Sequence, residues 1–172
     1  MKILVTGSNG FIGKNLCFQL EEQGFTDIIK IGRHNSVEQL NRALEQADFI
    51  YHLAGVNRPK TEGEFKQGNV DLTSHIVATL KNLNRSTPIL LTSSIQAEQS
   101  NPYGESKALA EEAVSEYAEQ SQAKAYIYRL PNVFGKWCRP NYNSVVATFC
   151  YKVANDLPIT VNEQDAKVNL VY

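Results

Sequence analysis

A tyrosine and a lysine four residues apart, Tyr103 and Lys107, form a pair that could carry out proton transfer. In a helix this spacing puts both side chains on one face, one turn apart. A phenol with an ordinary pKa of about 10 is a poor proton donor or acceptor near neutrality. A neighbouring ammonium charge favours the phenolate, so we predict that Lys107 lowers the pKa of Tyr103. Ser94, at the end of a predicted strand, could donate a hydrogen bond to the substrate oxygen that Tyr103 protonates.

Glycines spaced three apart near the N-terminus predict a loop that binds a dinucleotide. They lie in TGSNGFIG, residues 6–13, between the first predicted strand and the first predicted helix. Glycines let the backbone turn tightly and approach a pyrophosphate, whose charge is stabilised at the helix N-terminus. The other interpretation is a glycine-rich turn that binds nothing. The candidate cofactor-binding residues of this loop are Gly7, Asn9, Gly10, Phe11, Ile12 and Gly13.

The residue after the second predicted strand bears on which nicotinamide cofactor is bound. An acidic residue about 20 positions beyond the glycine loop would bind the ribose 2′-hydroxyl of NAD. Arg33 is found there instead, and its guanidinium suits a 2′-phosphate that a carboxylate would repel. The pattern favours NADPH as the cofactor, and a solvated surface cation is the alternative. Leu53, Ala54 and Gly55 follow the third predicted strand and would line the nucleotide, whereas the adjacent His52 is interpreted as a packed strand residue.

The order of the predicted elements supplies a fold that would position these residues. Short apolar or β-branched runs predict strands at 2–6, 27–32, 47–53, 89–93 and 124–130. Apolar residues at helical spacing predict helices around 12–20 and at 36–47, 68–83, 103–117 and 144–155. This alternation predicts an α/β fold, a doubly wound Rossmann-type parallel sheet. Residues 1–130 would be the NADP-binding domain, and residues 131–172 a truncated substrate-binding lobe.

Composition excludes several other classes of function. The 172 residues carry 17 Lys and Arg against 18 Asp and Glu, a formal net charge of -1, which gives nucleic-acid or membrane-surface binding little electrostatic support. The apolar runs are far shorter than the roughly 20 residues of a membrane-spanning helix. The 3 cysteines and 3 histidines show neither a disulfide framework nor metal-ligand spacing. We therefore predict a cytoplasmic protein with reduced thiols and no metal.

Segments that match in order over nearly the whole chain, TGSNGFIG, HLAG, TSS and YGESK, resemble the extended short-chain dehydrogenase/reductases, the NAD-dependent epimerase/dehydratase family. That family acts on nucleotide sugars with a nicotinamide cofactor. The resemblance implies that Ser94 polarises the substrate oxygen and that Tyr103 is the general acid/base. It further implies that Lys107 tunes Tyr103 and holds the nicotinamide ribose, and that Asn69 supports the site beside the cofactor.

The C-terminal segment RLPNVFG, residues 129–135, resembles the family's R-x-x-N-x-[FY]-G motif, which leads into the sugar-nucleotide pocket. The resemblance implies Asn132 as a substrate contact. Polar and aromatic residues of the following loop suit a sugar or uridine, although they could equally serve to order the loop. The candidate substrate-binding residues are Ser94, Asn132, Arg139 and Asn143.

Longer stretches, HLAGVNRP, SSIQAEQSNPYGESK and FGKWCRPNYNSVVATFCYK, resemble the reductase domain of two-domain enzymes of capsular polysaccharide biosynthesis, whose cupin domain is not matched. This implies NADPH-dependent reduction of the C4 ketone of a UDP-4-keto-6-deoxy-N-acetylhexosamine, on the way to UDP-N-acetyl-L-fucosamine. It also implies a homodimer formed through the helix that bears Tyr103. A 4-epimerase, which usually prefers NAD, and an inactive NADP-binding fragment stay open. A 4,6-dehydratase needs an acidic pair after the serine, where this chain has Ile95 and Gln96.

Overall fold

In the computed structural model, which describes residues 1–61, 63–161, 165 and 167–172, the chain divides into two units, Met1–Arg129 and Leu130–Tyr172. The described part of the first unit contains a five-stranded sheet of order β2-β1-β3-β4-β5. Pairing is parallel between β1 and β2, between β1 and β3, and between β3 and β4. The strands are β1 (Ile3–Thr6), β2 (Ile28–Ile31), β3 (Phe49–His52), β4 (Ile89–Ser94) and β5 (Ala125–Leu130).

Helices alternate with these strands, as predicted. In chain order, the helical segments of the first unit are α1 (Phe11–Glu22), α2 (Val37–Gln46), α3 (Gly63–Phe65), a π-helical turn (Lys66–Asp71), α4 (Leu72–Asn82), a 3-10 turn (Ile95–Glu98) and α5 (Pro102–Ser121). The predicted α/β, Rossmann-type class is confirmed. The chain places β2 on one side of β1 and β3 on the other, so the loops after β1 and β3 diverge at the carboxyl edge, where open α/β sheets bind ligands.

Alternation along the strands produces a core on each face of the sheet. Ile3 and Val5 of β1 pack with Cys17 and Leu20 of α1 on one face. Leu4, between them, belongs to a larger cluster on the other face, which the helices α2, α4 and α5 cover. Successive strand side chains point to opposite faces, so a strand buried on both sides is apolar throughout. Among the described residues of this unit, α1 therefore covers one face of the sheet, and α2, α4 and α5 cover the other.

The ends of the helices show where local sequence signals were sufficient. Ser36 followed by Gln39 three residues later is the sequence pattern of a capping box, and the two residues form one at the start of α2. The helix predicted from residue 68 begins earlier, at Gly63, and includes the π-helical turn, which the apolar spacing does not indicate. The spacing of Ile76, Leu80 and Leu83 predicts that all three share the buried face of this helix. Leu83 is nevertheless 39% exposed, because α4 ends at Asn82 and Leu83 is its C-cap.

In the second unit, β6 (Asn132–Val133) pairs in parallel with β7 (Leu170–Val171). The helix α6 (Val145–Ala154) begins after Ser144, whose hydroxyl accepts a hydrogen bond from the Ala147 N–H. The apolar residues around Cys150 predict that it belongs to the core or to a pocket wall, but it is exposed on α6. In the part of the chain that the structure describes, no helix is both long and apolar enough to cross a membrane.

Candidate active site

The glycine loop after β1 packs backbone against backbone on the end of β3. Gly7 has a φ of +69°, and a Cβ there would lie 2.7 Å from the Ala54 nitrogen. A Cβ at Gly13 would overlap the Gly7 carbonyl oxygen, which accepts a 2.9 Å hydrogen bond from the Gly10 N–H. A side chain is therefore excluded at Gly7 by both conformation and space, and at Gly13 by space alone.

The first turn of α1 is left without a side-chain cap. Its N-cap residue is Gly10, which has no side chain to accept a hydrogen bond from the N–H groups that follow. Phe11 and Ile12 are the first residues of the helix, and both are half-buried. Unpaired N–H groups and the helix dipole together favour a bound anion. The loop thus fits the pyrophosphate of a dinucleotide, which would occupy the space that glycine side chains leave empty.

The loop after β2 brings Arg33 to the same edge of the sheet. Asn9 lies over Gly32, because a Cβ at Gly32 would be 2.7 Å from the Asn9 amide nitrogen. The Gly32 N–H donates to Asn35 Oδ1 at 2.8 Å, which shapes the turn. Arg33 is exposed, and its guanidinium makes no hydrogen bond or ion pair with any described residue. Its charge is available to a ligand phosphate.

The segment after β3 joins the glycine loop to the predicted catalytic helix. The Leu53 N–H donates to the Thr6 carbonyl, and the Ala54 N–H to the Thr6 hydroxyl, both at 3.3 Å. A Cβ at Gly55 would lie 3.0 Å from Asn69 Oδ1 and 3.8 Å from Lys107 Nζ. Gly55 therefore lies next to Lys107, at the carboxyl edge of the sheet where the glycine loop is found.

The start of α5 is held tightly against the segment that follows Ser94. Asn101 caps the helix by accepting the Gly104 N–H at 2.8 Å, and Pro102 occupies the first helical position, where its missing N–H costs nothing. A Cβ at Gly104 would overlap the Gln96 carbonyl, so α5 lies directly on the 3-10 turn. Only a short turn separates β4 from α5, and Tyr103 reaches hydrogen-bonding contact with Ser94.

Burial, rather than a cation, dominates the titration of Tyr103. Desolvation raises its pKa above the ordinary value, and hydrogen bonding with Ser94 opposes that rise. The ring of Phe65 covers Tyr103, with ring centroids 5.6 Å apart. The predicted lowering of the pKa of Tyr103 by Lys107 is wrong, because the Lys107 ammonium is turned to a backbone carbonyl instead. Tyr103 is therefore a neutral phenol at physiological pH.

Lys107 is a buried cation with a fixed hydrogen-bond acceptor. Its Nζ donates to the Thr92 carbonyl at 2.7 Å, and the residue is 6% exposed. Desolvation lowers its pKa to about 8, while the charge of Glu111 acts in the opposite direction. Near pH 7 the ammonium is the prevailing form, with a strong local field because little water surrounds it.

Asn69, predicted beside the cofactor, has its side-chain amide bonded within the protein. It is 2% exposed. Its Oδ1 accepts the Val56 N–H at 2.8 Å, and its Nδ2 donates to the Val56 carbonyl at 3.1 Å and to Ser106 Oγ at 2.9 Å. Ser106 in turn donates to the Tyr103 carbonyl at 2.7 Å. Asn69, which lies in the π-helical turn, thus links the segment after β3 to α5. Such turns are frequent at functional sites.

His52 is buried in strand β3, as interpreted from the sequence, and connects β1 to α4 through hydrogen bonds to Thr6 and Thr73. Thr73 Oγ1 donates to the Asn69 carbonyl at 2.6 Å, so it accepts from His52 Nε2 at 2.9 Å. Nδ1 is then the acceptor for the Thr6 hydroxyl at 2.7 Å. Burial, aided by the charge of Lys107, lowers the pKa of His52 to about 3. The ring is therefore neutral, carries its proton on Nε2, and joins Thr6 to Thr73 by hydrogen bonds.

Glu111 and Arg129 complete the surroundings of Lys107, and sequence reasoning did not single out Glu111. Arg129 Nε and Nη2 bind both carboxylate oxygens of Glu111, at 2.7–3.1 Å, and the Ser93 hydroxyl donates to one of them. The available signal was the spacing, since Glu111 follows Lys107 by one helical turn, as Lys107 follows Tyr103.

The substrate-binding predictions in the second unit stay predictions. Asn132 donates from Nδ2 to the Asn143 carbonyl at 3.2 Å. Its Oδ1 is buried without a hydrogen-bond partner among the described residues, which leaves an acceptor for a ligand hydroxyl or amide. Arg139 and Asn143 are exposed in the loop before α6.

Comparisons with known proteins agree with these motifs. The model of the NAD dependent epimerase/dehydratase family matches residues 3–172. A UDP-2-acetamido-2,6-beta-L-arabino-hexul-4-ose reductase of Pseudomonas aeruginosa is 51% identical over 172 residues, which are 100% of this chain and 46% of that protein. The crystal structure of the capsular polysaccharide assembling protein CapF from Staphylococcus aureus superposes with a TM-score of 0.88 at 50% identity, over 100% of this chain and 47% of that one.

A solved structure of lower sequence identity shares the fold. A UDP-glucuronic acid 4-epimerase from Bacillus cereus in complex with NAD has a TM-score of 0.78 at 20% identity, over 94% of this chain and 66% of that one. The chain spans less than half the length of the reductase and of CapF, so their activities belong to longer proteins. With the family model matching nearly every residue, the resemblance predicted from the motifs is confirmed: the chain belongs to the NAD dependent epimerase/dehydratase family.

Proposed function

We propose that this chain is the nucleotide-binding part of an NADPH-dependent reductase. It would reduce the C4 ketone of a UDP-4-keto-6-deoxy-N-acetylhexosamine in the synthesis of a capsular polysaccharide precursor. The observation that carries the proposal is the meeting of Ser94, Tyr103 and Lys107 beside the glycine loop, in a chain 51% identical to a protein named as a hexulose reductase. A UDP-sugar would be its partner, two copies would pair through α5, and its location would be cytoplasmic.

The residues present fit a nicotinamide dinucleotide. Gly7, Gly10 and Gly13, with the first N–H groups of α1, would hold the pyrophosphate, and Arg33 would hold a 2′-phosphate. When bound, the nicotinamide supplies a hydride to the substrate carbonyl carbon.

The protein's own part in the reaction is to provide a proton and stabilise charge. Tyr103 would give its phenolic proton to the oxygen at C4, and Ser94 would donate a hydrogen bond to that same oxygen. Burial, which raises the pKa of Tyr103, keeps it protonated and ready to act as the acid. The Lys107 ammonium, whose charge does not lower the pKa of Tyr103, would instead hold the nicotinamide ribose through its remaining N–H donors.

Cofactor preference tests the nucleotide part of the proposal. Titration of the chain with NADPH and with NADH, followed by fluorescence, should show NADH binding at least about tenfold more weakly, or about 1.4 kcal/mol. Arg33→Ala should remove most of this difference, while Arg42→Ala, an exposed arginine on α2, should not. Equal affinity for both cofactors would contradict the role of Arg33.

Tyr103→Phe tests the chemical part. We expect unchanged NADPH binding and a loss of keto-sugar-dependent NADPH oxidation of about 10²–10⁴-fold. Tyr126→Phe, exposed on β5, is the matched control. Wild-type oxidation rates in the Tyr103 variant would refute the acid role. A wild-type chain that binds NADPH but never oxidises it would be a binding module.

A further inference from the structure

Three side chains spaced four apart on α5 meet three consecutive residues of β4. Tyr103 contacts Ser94, Lys107 donates to the Thr92 carbonyl at 2.7 Å, and Glu111 accepts from the Ser93 hydroxyl. The proposed reaction uses the first two pairs and leaves the third without a role. That third pair places a carboxylate that is 8% exposed one turn from the buried ammonium.

A buried carboxylate is costly unless it is paired and hydrogen-bonded. Glu111 meets that condition through the two-pronged contact of Arg129 and through Ser93. Burial alone would raise the pKa of Glu111, but the hydrogen bonds from Arg129 and Ser93 and the charges of Arg129 and Lys107 outweigh it and lower the pKa. Glu111 is therefore charged throughout the physiological range.

The resulting charges alternate in sign from the site toward solvent. Lys107 is followed by Glu111, then by Arg129, and Arg129 Nη1 binds Glu98 Oε1 at 2.6 Å at the exposed end. The Lys107 ammonium is thus within reach of the negative charge of Glu111, and Arg129 partly offsets that charge through its ion pair with Glu111.

Other groups around α5 do not supply such a charge. His52, which faces Lys107 from β3, is neutral, and so is Tyr103. Titratable side chains of the remaining described elements packed on α5 are directed elsewhere or exposed: Glu64 accepts from the Lys60 N–H, His75 bonds Asn41, and Lys66, Asp71 and Glu98 are at or near the surface. Among the described residues, Glu111 is the carboxylate acting on Lys107.

We infer that Glu111 is a positioning residue of the proposed reductase site: its carboxylate holds α5 in register on β4 and keeps the buried Lys107 ammonium protonated. This inference rests on the proposed function only for its catalytic consequence. The effect on Lys107 is a property of the chain itself and can be measured without substrate.

The decisive measurement is the titration of Lys107 in chain labelled with ¹³C at lysine Cε, followed by NMR and assigned with Lys107→Arg. Glu111→Gln removes the negative charge, so the Lys107 midpoint should fall by on the order of one pH unit. Glu112→Gln, the exposed neighbour on the same helix, should leave it unchanged. If Glu111 only packs the helix, its loss admits water and the midpoint rises toward that of a free lysine. A rise, or no change, overturns the inference.

Two further variants keep the test decisive should Glu111→Gln not fold. Arg129→Gln leaves the carboxylate and removes its offsetting cation, so the Lys107 midpoint should rise; a fall or no change contradicts the inference. Glu111→Asp retains the negative charge, so it should keep the Lys107 midpoint within about a few tenths of a pH unit of the wild-type value. In the active protein, the alkaline limb of the kcat/KM profile should follow the same shifts. Correct shifts in a chain that never oxidises NADPH would reject the proposed function alone.

Discussion

The N-termini of α1 and α5 lie at the same edge of the sheet, yet they are built in opposite ways. The α1 terminus begins at Gly10 and has no side-chain cap, whereas Asn101 caps α5 and Pro102 fills its first position. Uncapped N–H groups cost stability unless something else binds them. The uncapped terminus of α1 suits the proposed pyrophosphate site, whereas α5, which carries the side chains proposed to react, is closed by its own residues.

The largest expected effect is at the open terminus. Gly13→Val puts side-chain atoms onto the Gly7 carbonyl and within 2.7 Å of Ser8 Cα. We expect NADPH binding to weaken at least about a hundredfold, or roughly 2.7 kcal/mol, in a fluorescence titration. Gly63→Ala, where a Cβ meets nothing within 4 Å, is the control. Normal binding by Gly13→Val would mean that the loop is not the pyrophosphate site.

The closed terminus should respond to alkaline pH. The pKa of Lys107 is about 8 in the folded chain, against an ordinary lysine value of 10.5. Between these values the unfolded chain binds more protons, so stability rises with pH. The cost of the buried charge is fully present below about pH 8. Activity should fall in the same window, approaching tenfold per pH unit, because the ammonium is lost.

Urea unfolding and kcat/KM, measured across that window, check both trends. Lys107→Met should remove the rise in stability with pH, whereas Lys14→Met, exposed on α1, should keep it. If stability and activity both rose or both fell with pH, the loss of the Lys107 proton in this window would be contradicted.

Adding a side-chain cap at the N-terminus of α1 should weaken ligand binding while stabilising the helix. In Gly10→Asp, the new Cβ lies 3.1 Å from the Gly7 carbonyl oxygen, which a small shift accommodates, and the carboxylate can accept the first N–H groups of α1. We expect roughly tenfold weaker NADPH binding without a lower melting temperature. Gln19→Glu adds the same charge on the exposed part of α1 and should change neither NADPH affinity nor the melting temperature. Undiminished binding would refute the open-terminus interpretation.

Removing the existing cap should have the smallest effect. Asn101→Ala deletes the acceptor for the Gly104 N–H and should cost about 1 kcal/mol of unfolding free energy. For a chain of this size that lowers Tm by roughly 2–4 °C, measurable by calorimetry. Asn57→Ala, exposed in the segment after β3, should leave Tm unchanged. A loss of NADPH affinity at unchanged Tm would place Asn101 at the ligand instead of the helix.

Local patterns were enough to predict the alternating fold, the capping box of Ser36 and Gln39, and the helical face shared by Tyr103 and Lys107. These features depend on neighbours within about one helical turn, and such hydrogen bonds and faces can be read from spacing. The glycine loop was predictable for the same reason, because its position between the first strand and the first helix restricts what it can do.

Tertiary structure alone decided the electrostatics of the site. Thr6 and His52 are 46 residues apart, and Glu111 and Arg129 are 18 apart. Whether Tyr103 is activated or kept neutral depends on how much water burial removes and where the Lys107 ammonium is turned. Desolvation and long-range pairing arise only when distant segments pack together. Spacing along the chain could therefore predict candidate reactive side chains, while the packed structure determined their charges.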